Sequence, residues 1–127
     1  MSDARCSGTL RLSKGAWLFR PDAVDVLLRV EPTPPPSPEG FLSRPVEAIL
    51  SVRGEATVAD GAPRIEPRTG VPQRVTGRVL AVADDSLVVD AGIPLVVVVG
   101  VGARATVGDV VGIDVDVDAG VGCALAD

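Results

Sequence analysis

The sequence predicts an all-β fold in a single domain over residues 1–127, with the strands closed or nearly closed into an antiparallel barrel. The apolar residues recur mainly with period two, in short runs rich in Val and Ile that Gly, Pro and Asp interrupt. No stretch has the 3.6-residue period of an amphipathic helix. A length of 127 residues, 46% of them apolar and 2% aromatic, fits one domain of ordinary size.

The first half of the chain begins with a predicted hairpin. Residues 9–13 and 16–19 have alternating apolar positions and flank Lys14-Gly15, a pair suited to a two-residue turn. Further strands are predicted over residues 24–30, 46–52 and 55–59, with a bulge or bend at Gly54.

Two Pro-rich segments are predicted to be long loops. Residues 32–38 contain five prolines, which cannot donate to a strand ladder and favour an extended, solvated conformation. Residues 61–73 contain three prolines and have neither helical nor strand periodicity. Both segments are therefore expected to connect strands.

The second half of the chain predicts four successive strands joined by short turns. They lie at residues 74–82, 86–90, 93–99 and 110–118. No repeat at fixed spacing relates the two halves.

The stretch Val75-Thr-Gly-Arg-Val-Leu-Ala-Val-Ala-Asp-Asp-Ser-Leu-Val-Val-Asp-Ala-Gly, followed by Gly108-Asp-Val-Val-Gly-Ile-Asp-Val, resembles the strand pattern of OB-fold barrels. The resemblance covers about residues 74–118 and concerns the fold, not a particular family. It implies a long first strand that bends at Gly77 and is apolar on both faces. Because the first half holds further strands, a sandwich or a larger barrel stays open.

The composition argues against an enzyme. The chain has no His, no Tyr and no Asn, and Lys14 is its only side-chain amine, so a nucleophile would lack an adjacent base. Two cysteines without histidine do not complete a zinc site. We therefore predict a non-enzymatic protein without a cofactor.

The start of the chain has no apolar segment of the kind found in secretory signals, which predicts a cytoplasmic protein. Its longest uncharged stretch, residues 91–103, is shorter than the roughly 20 residues of a spanning helix, so no membrane contact is expected. Cys6 and Cys123 are accordingly predicted to be reduced thiols and not a disulfide.

Charge is unevenly distributed along the chain. Residues 1–78 have eleven basic and nine acidic groups, net +2, whereas residues 79–127 have one basic and eight acidic groups, net −7. The basic half interleaves cations with aromatic residues, as in surfaces that bind single-stranded nucleic acid. The candidate binding residues are Arg11, Lys14, Trp17, Phe19, Arg20 and Arg29. Burial of Trp17 and Phe19 in the core is the competing interpretation.

Asp114, Asp116 and Asp118 alternate with valines, which predicts three carboxylates on one face of the last strand. They do not fit a calcium-binding EF-hand loop, because that motif needs Gly at position 119 and Glu at position 125, where this chain has Ala119 and Leu125. We expect a solvated face that discourages strand aggregation and binds no metal tightly.

The function predicted from these observations is a small binding module that contacts another protein or itself. Catalytic groups are scarce, whereas apolar strand surface is plentiful. The predicted self-association surface is the run Leu95, Val96, Val97, Val98 and Val99. Single-stranded nucleic acid is the alternative partner.

Overall fold

The computed structural model describes residues 4–33, 43–100 and 105–126, and it confirms the all-β prediction. The strands are β1 (Arg5–Ser13), β2 (Ala16–Pro21), β3 (Leu27–Thr33), β4 (Ser43–Val58), β5 (Arg64–Glu66), β6 (Thr69–Gly70), β7 (Arg74–Val82), β8 (Ser86–Asp90), β9 (Pro94–Val98), β10 (Val110–Val115) and β11 (Gly122–Ala126). Within the described ranges, the only helical segment is a 3-10 turn at Val117–Ala119.

The predicted hairpin is confirmed. Strands β1 and β2 pair antiparallel around the turn, with Ser13 opposite Ala16. Lys14 and Gly15 both have positive φ angles, 52° and 80°. Two positive φ angles are typical of a type I′ turn, whose twist matches that of the flanking strands.

The strand pairings form two rings. In the first ring β1 pairs with β2, β2 with β3, β3 with β11, β11 with β4, and β4 again with β1. In the second ring β4 pairs with β10, β10 with β7, β7 with β8, β8 with β9, and β9 again with β4. Strand β4 belongs to both rings because its 16 residues are long enough to pair with different strands at its two ends.

The same pairing order occurs in both rings, a repeat that the sequence analysis did not find. Strands β1, β2 and β3 correspond to β7, β8 and β9, and in each ring the third strand is parallel to the strand that follows it. Gly8 is opposite Val46, and its equivalent Gly77 is opposite Val111. Each half of the chain also contributes a strand to the ring formed mainly by the other half. The C-terminal end of β4 pairs in the second ring, and β11 pairs in the first.

A fully antiparallel sheet was expected, and three parallel pairings contradict it: β3 with β11, β4 with β9, and β3 with β6. Strands β3 and β11 are far apart in sequence, so no hairpin turn constrains their relative direction. Periodicity identifies a strand but carries no information about a distant partner.

Several predicted boundaries also differ. The predicted loop 61–73 contains β5 and β6, which are too short to show alternation. The predicted strand 24–30 begins at Leu27 and ends at Thr33, and residues 34–38 of the first loop lie outside the described part. Strand β4 runs through Gly54 without interruption, and a register shift instead occurs in β7 between Val79 and Ala81.

The core is one cluster of buried side chains contributed by strands of both rings. Alternate residues of β4, Ala48, Leu50 and Val52, are buried, as the period-two pattern predicts. Phe19 and Leu28 are fully buried in the first ring. Fully burying such a side chain contributes about 1.5–3 kcal/mol, so strand alternation fixes which face of each strand points inward.

Candidate interaction surfaces

The outer side of β1–β3 brings together three of the predicted basic residues. Arg11 is opposite Leu18, and Leu18 is opposite Arg29, so these two arginines and the leucine between them form a row across the strands. Arg20 is two residues beyond Leu18 on the same side of β2 and is also exposed. We call Arg11, Leu18, Arg20 and Arg29 the arginine face. Lys14 lies beyond this row, in the β1–β2 turn.

The arginine face concentrates positive charge. Arg20 is diagonal to Arg11 and Arg29, a relation that places Cα atoms about 7–8 Å apart. Arg20 forms an exposed salt bridge with Asp25 at 3.7 Å. Among the described residues, no carboxylate lies within 4 Å of the guanidinium of Arg11 or Arg29.

The two aromatic candidates are not part of this face. Trp17 and Phe19 alternate with Leu18 and Arg20 along β2 and therefore point to the inner side. Phe19 is fully buried, and Trp17 is half-buried and packs against the core. Trp17 shares a groove with Arg29, but Phe19 is fully buried and neither Arg11 nor Arg20 lines that groove, so the six predicted nucleic-acid-binding residues do not form one surface.

A groove of about 560 Å³ borders Trp17 at one end of the first ring. Arg29, Glu31 and Asp118 contribute charge to its walls, and Val71 and Val121 contribute apolar surface. Its charged groups are of both signs. The groove therefore offers no recognisable chemistry for a particular ligand.

The predicted self-association run is divided between two faces. Leu95 and Val97 are buried in the core, and Val99 follows the end of β9. Val96 and Val98 are on the outer side and partly exposed, and Val88 on β8 is directly opposite Val96. We call Val88, Val96 and Val98 the valine face. The sequence analysis missed Val88, although its position between buried Leu87 and Val89 was a usable signal.

The predicted row of three carboxylates does not exist. Strand β10 ends at Val115, so only Asp114 is on the strand, where it forms a salt bridge with Arg74. The Asp116 carboxylate accepts a hydrogen bond from the Asp118 backbone N–H and caps the 3-10 turn. This local bond competes with strand continuation and explains the error. The described residues contain no cluster of three potential metal ligands.

No protein-family model, curated protein or solved structure matches this chain at a significant level. Within the described ranges, no helix is long and apolar enough to cross a membrane.

Both cysteines are buried in the first ring as free thiols. Burial raises the pKa of Cys6 to about 11, with a smaller contribution from the charge of Asp22. Burial also raises the pKa of Cys123 to about 11, with a smaller contribution from Cys6. Since the thiolate is the nucleophile, these thiols are unreactive at neutral pH.

Proposed function

We propose that this chain is a non-enzymatic binding module that associates with a second copy of itself through the valine face. We also propose that each ring closes as a small five-stranded barrel of the OB type. In such an arrangement the faces of the strands, and not their edges, are the surfaces available for association. The observation that carries the proposal is the outward position of Val88, Val96 and Val98 on adjacent paired strands.

A second copy is the occupant that fits this surface best. The chain has a net charge of −5, so two copies repel each other over most of their surface. The three residues of the valine face are uncharged, exposed Arg53 borders them opposite Val98 on β4, and in a two-fold dimer the same patch meets itself. An uncharged apolar patch is self-complementary, whereas two copies of the arginine face would place like charges together.

The expected association is weak. Strand spacings of about 4.8 Å and rises of about 3.3 Å per residue give the outer side of β8 and β9 an area of only a few hundred Å². Stable complexes bury about 800 Å² per partner. We therefore expect a dimer that forms reversibly at high micromolar concentration.

Replacing Val96 with lysine should weaken dimerisation, because each copy would bring a buried, unpaired charge into the same small interface. Sedimentation velocity from low to high protein concentration measures the change, and circular dichroism verifies that the strands persist. We expect the dimerisation constant to weaken at least about tenfold, which corresponds to about 1.4 kcal/mol.

Val58→Lys is the matched control. Val58 is the most exposed large apolar residue described, at 92%, and it lies outside the valine face. The Val58→Lys substitution adds the same charge as Val96→Lys and should leave dimerisation unchanged. A wild-type protein that stays monomeric at millimolar concentration, or an equal effect of the two substitutions, would contradict the proposal.

A further inference from the structure

We propose that the arginine face binds an acidic polypeptide segment in which two carboxylates flank an apolar residue. This surface belongs to the first ring, whereas the valine face belongs to the second. The inference is therefore independent of self-association. It depends on the arrangement of Arg11, Leu18 and Arg29. It also depends on the observation that the fold does not need the charges of the two arginines.

The repeat within the chain shows that the fold does not require arginines at these positions. Leu18 lies between Arg11 and Arg29, and the equivalent Val88 lies between Ala81 and Val96. One ring therefore has the row Arg–Leu–Arg where the other has Ala–Val–Val. Since the two rings share a pairing order, the difference reflects what each outer face contacts and not how it folds.

Arg11 and Arg29 also lack carboxylate partners, although the chain is rich in acidic residues. The sequence has seventeen Asp and Glu residues against twelve Lys and Arg. Even so, among the described residues no carboxylate lies within 4 Å of the Arg11 or Arg29 guanidinium. The two guanidinium groups are exposed and retain the donor geometry that pairs with a carboxylate.

The composition of the face favours a polypeptide over a nucleic acid. Its centre is Leu18, a partly buried aliphatic side chain that offers no ring for base stacking. Trp17 and Phe19 point to the opposite side of β2. Asp25 pairs with Arg20 at one margin, and Glu31 follows Arg29 on the same side of β3, so a long phosphate backbone would meet both carboxylates.

The spacing of the row defines the ligand. Paired residues on neighbouring strands have Cα atoms about 4.5–5.5 Å apart, so the Cα atoms of Arg11 and Arg29 are about 10 Å apart. In an extended peptide, residues i, i+2 and i+4 point to one side and span about 13 Å. A Glu-Ser-Leu-Ser-Glu segment thus places its leucine over Leu18 and its glutamates within reach of the two arginine side chains.

The probe is a fluorescein-labelled peptide with two Glu-Ser-Leu-Ser-Glu segments, titrated with the full chain and followed by fluorescence anisotropy. We expect a Kd between about 0.1 and 1 mM at low salt, weakening several-fold at about 500 mM salt because exposed ion pairs are screened. Arg11→Ala and Arg29→Ala should each weaken binding at least about threefold, and the double variant at least about tenfold.

The matched control is Arg78→Ala, which removes an exposed arginine from β7 in the second ring and should leave binding unchanged. A peptide with glutamine in place of glutamate should not bind, and serine in place of leucine should weaken binding. Equal effects of Arg78→Ala and Arg29→Ala would overturn the proposal, since they would indicate a response to net charge alone.

A single-stranded oligothymidine provides the decisive comparison. Tighter binding of the oligonucleotide than of the peptide, with quenching of Trp17 fluorescence, would overturn the polypeptide assignment in favour of base stacking. Tighter binding of the peptide, weakened by Arg11→Ala, supports the polypeptide assignment, because Arg11 does not line the groove that Trp17 shares with Arg29.

Discussion

Replacing Gly77 with alanine is expected to lower the free energy of unfolding by more than about 3 kcal/mol, at the upper end of the cost of overpacking a core. A Cβ atom at Gly77 would collide with the backbone carbonyl oxygen of Asp90 and would lie 2.6 Å from Cγ1 of Val89. Backbone of a paired strand cannot move away without breaking the β7–β8 ladder. Gly8→Ala should have a similar effect, since the new Cβ would collide with the Arg20 carbonyl oxygen and the Phe19 ring.

Gly112→Ala is the control, in the neighbouring strand β10. There the new Cβ would meet only the end of the Arg74 side chain, which is free to rotate away. The cost is then at most the exposed salt bridge between Arg74 and Asp114, about 0–1 kcal/mol. Urea unfolding of the three variants measures the difference. Similar stabilities for Gly77→Ala and Gly112→Ala would show that the close approach of β7 and β8 is not a constraint.

The close approach at Gly8 and Gly77 also explains why the repeat escaped sequence analysis. Strands β1 and β7 have in common only the pattern Arg-x-Ser/Thr-Gly, at Arg5–Gly8 and at Arg74–Gly77. The glycine is needed because the paired backbone comes close there, whereas the other inward positions need only an apolar side chain. Hydrophobic alternation is satisfied by many residues, so two equivalent strands retain little identity. Period two thus predicted most strands correctly but not their ring order, which depends on pairings between distant segments.

The interaction surfaces were predictable in part. Alternation alone places Arg20 on the opposite side of β2 from Trp17 and Phe19, so the sequence already contained the reason that these residues do not form one nucleic-acid surface. The row formed by Arg11 and Arg29 was not predictable. Those residues are 18 positions apart, and only the pairing of β1 and β3 with opposite edges of β2 brings them to the two sides of Leu18.

Raising the pH from 9 to 11 is expected to destabilise the fold by about 3–5 kcal/mol through Cys6 and Cys123. Both thiols have their pKa raised from 9.0 to about 11, so between these values the folded chain retains protons that the unfolded chain releases. The stabilisation is complete below pH 9 and is lost as the pH rises towards 11. Each thiol contributes at most about 1.4 kcal/mol per pH unit.

The composition makes this measurement unusually specific. The chain has no tyrosine, and Lys14 is its only lysine, so few other side chains titrate between pH 9 and 11. Urea unfolding across this range gives the pH dependence, and thiolate absorbance near 240 nm reports the two cysteines directly. The Cys6→Ala/Cys123→Ala variant should be less stable at pH 8 but nearly independent of pH. An equally steep decline in that variant, or a constant stability in the wild type, would show that the thiols ionise as easily in the folded core as in water.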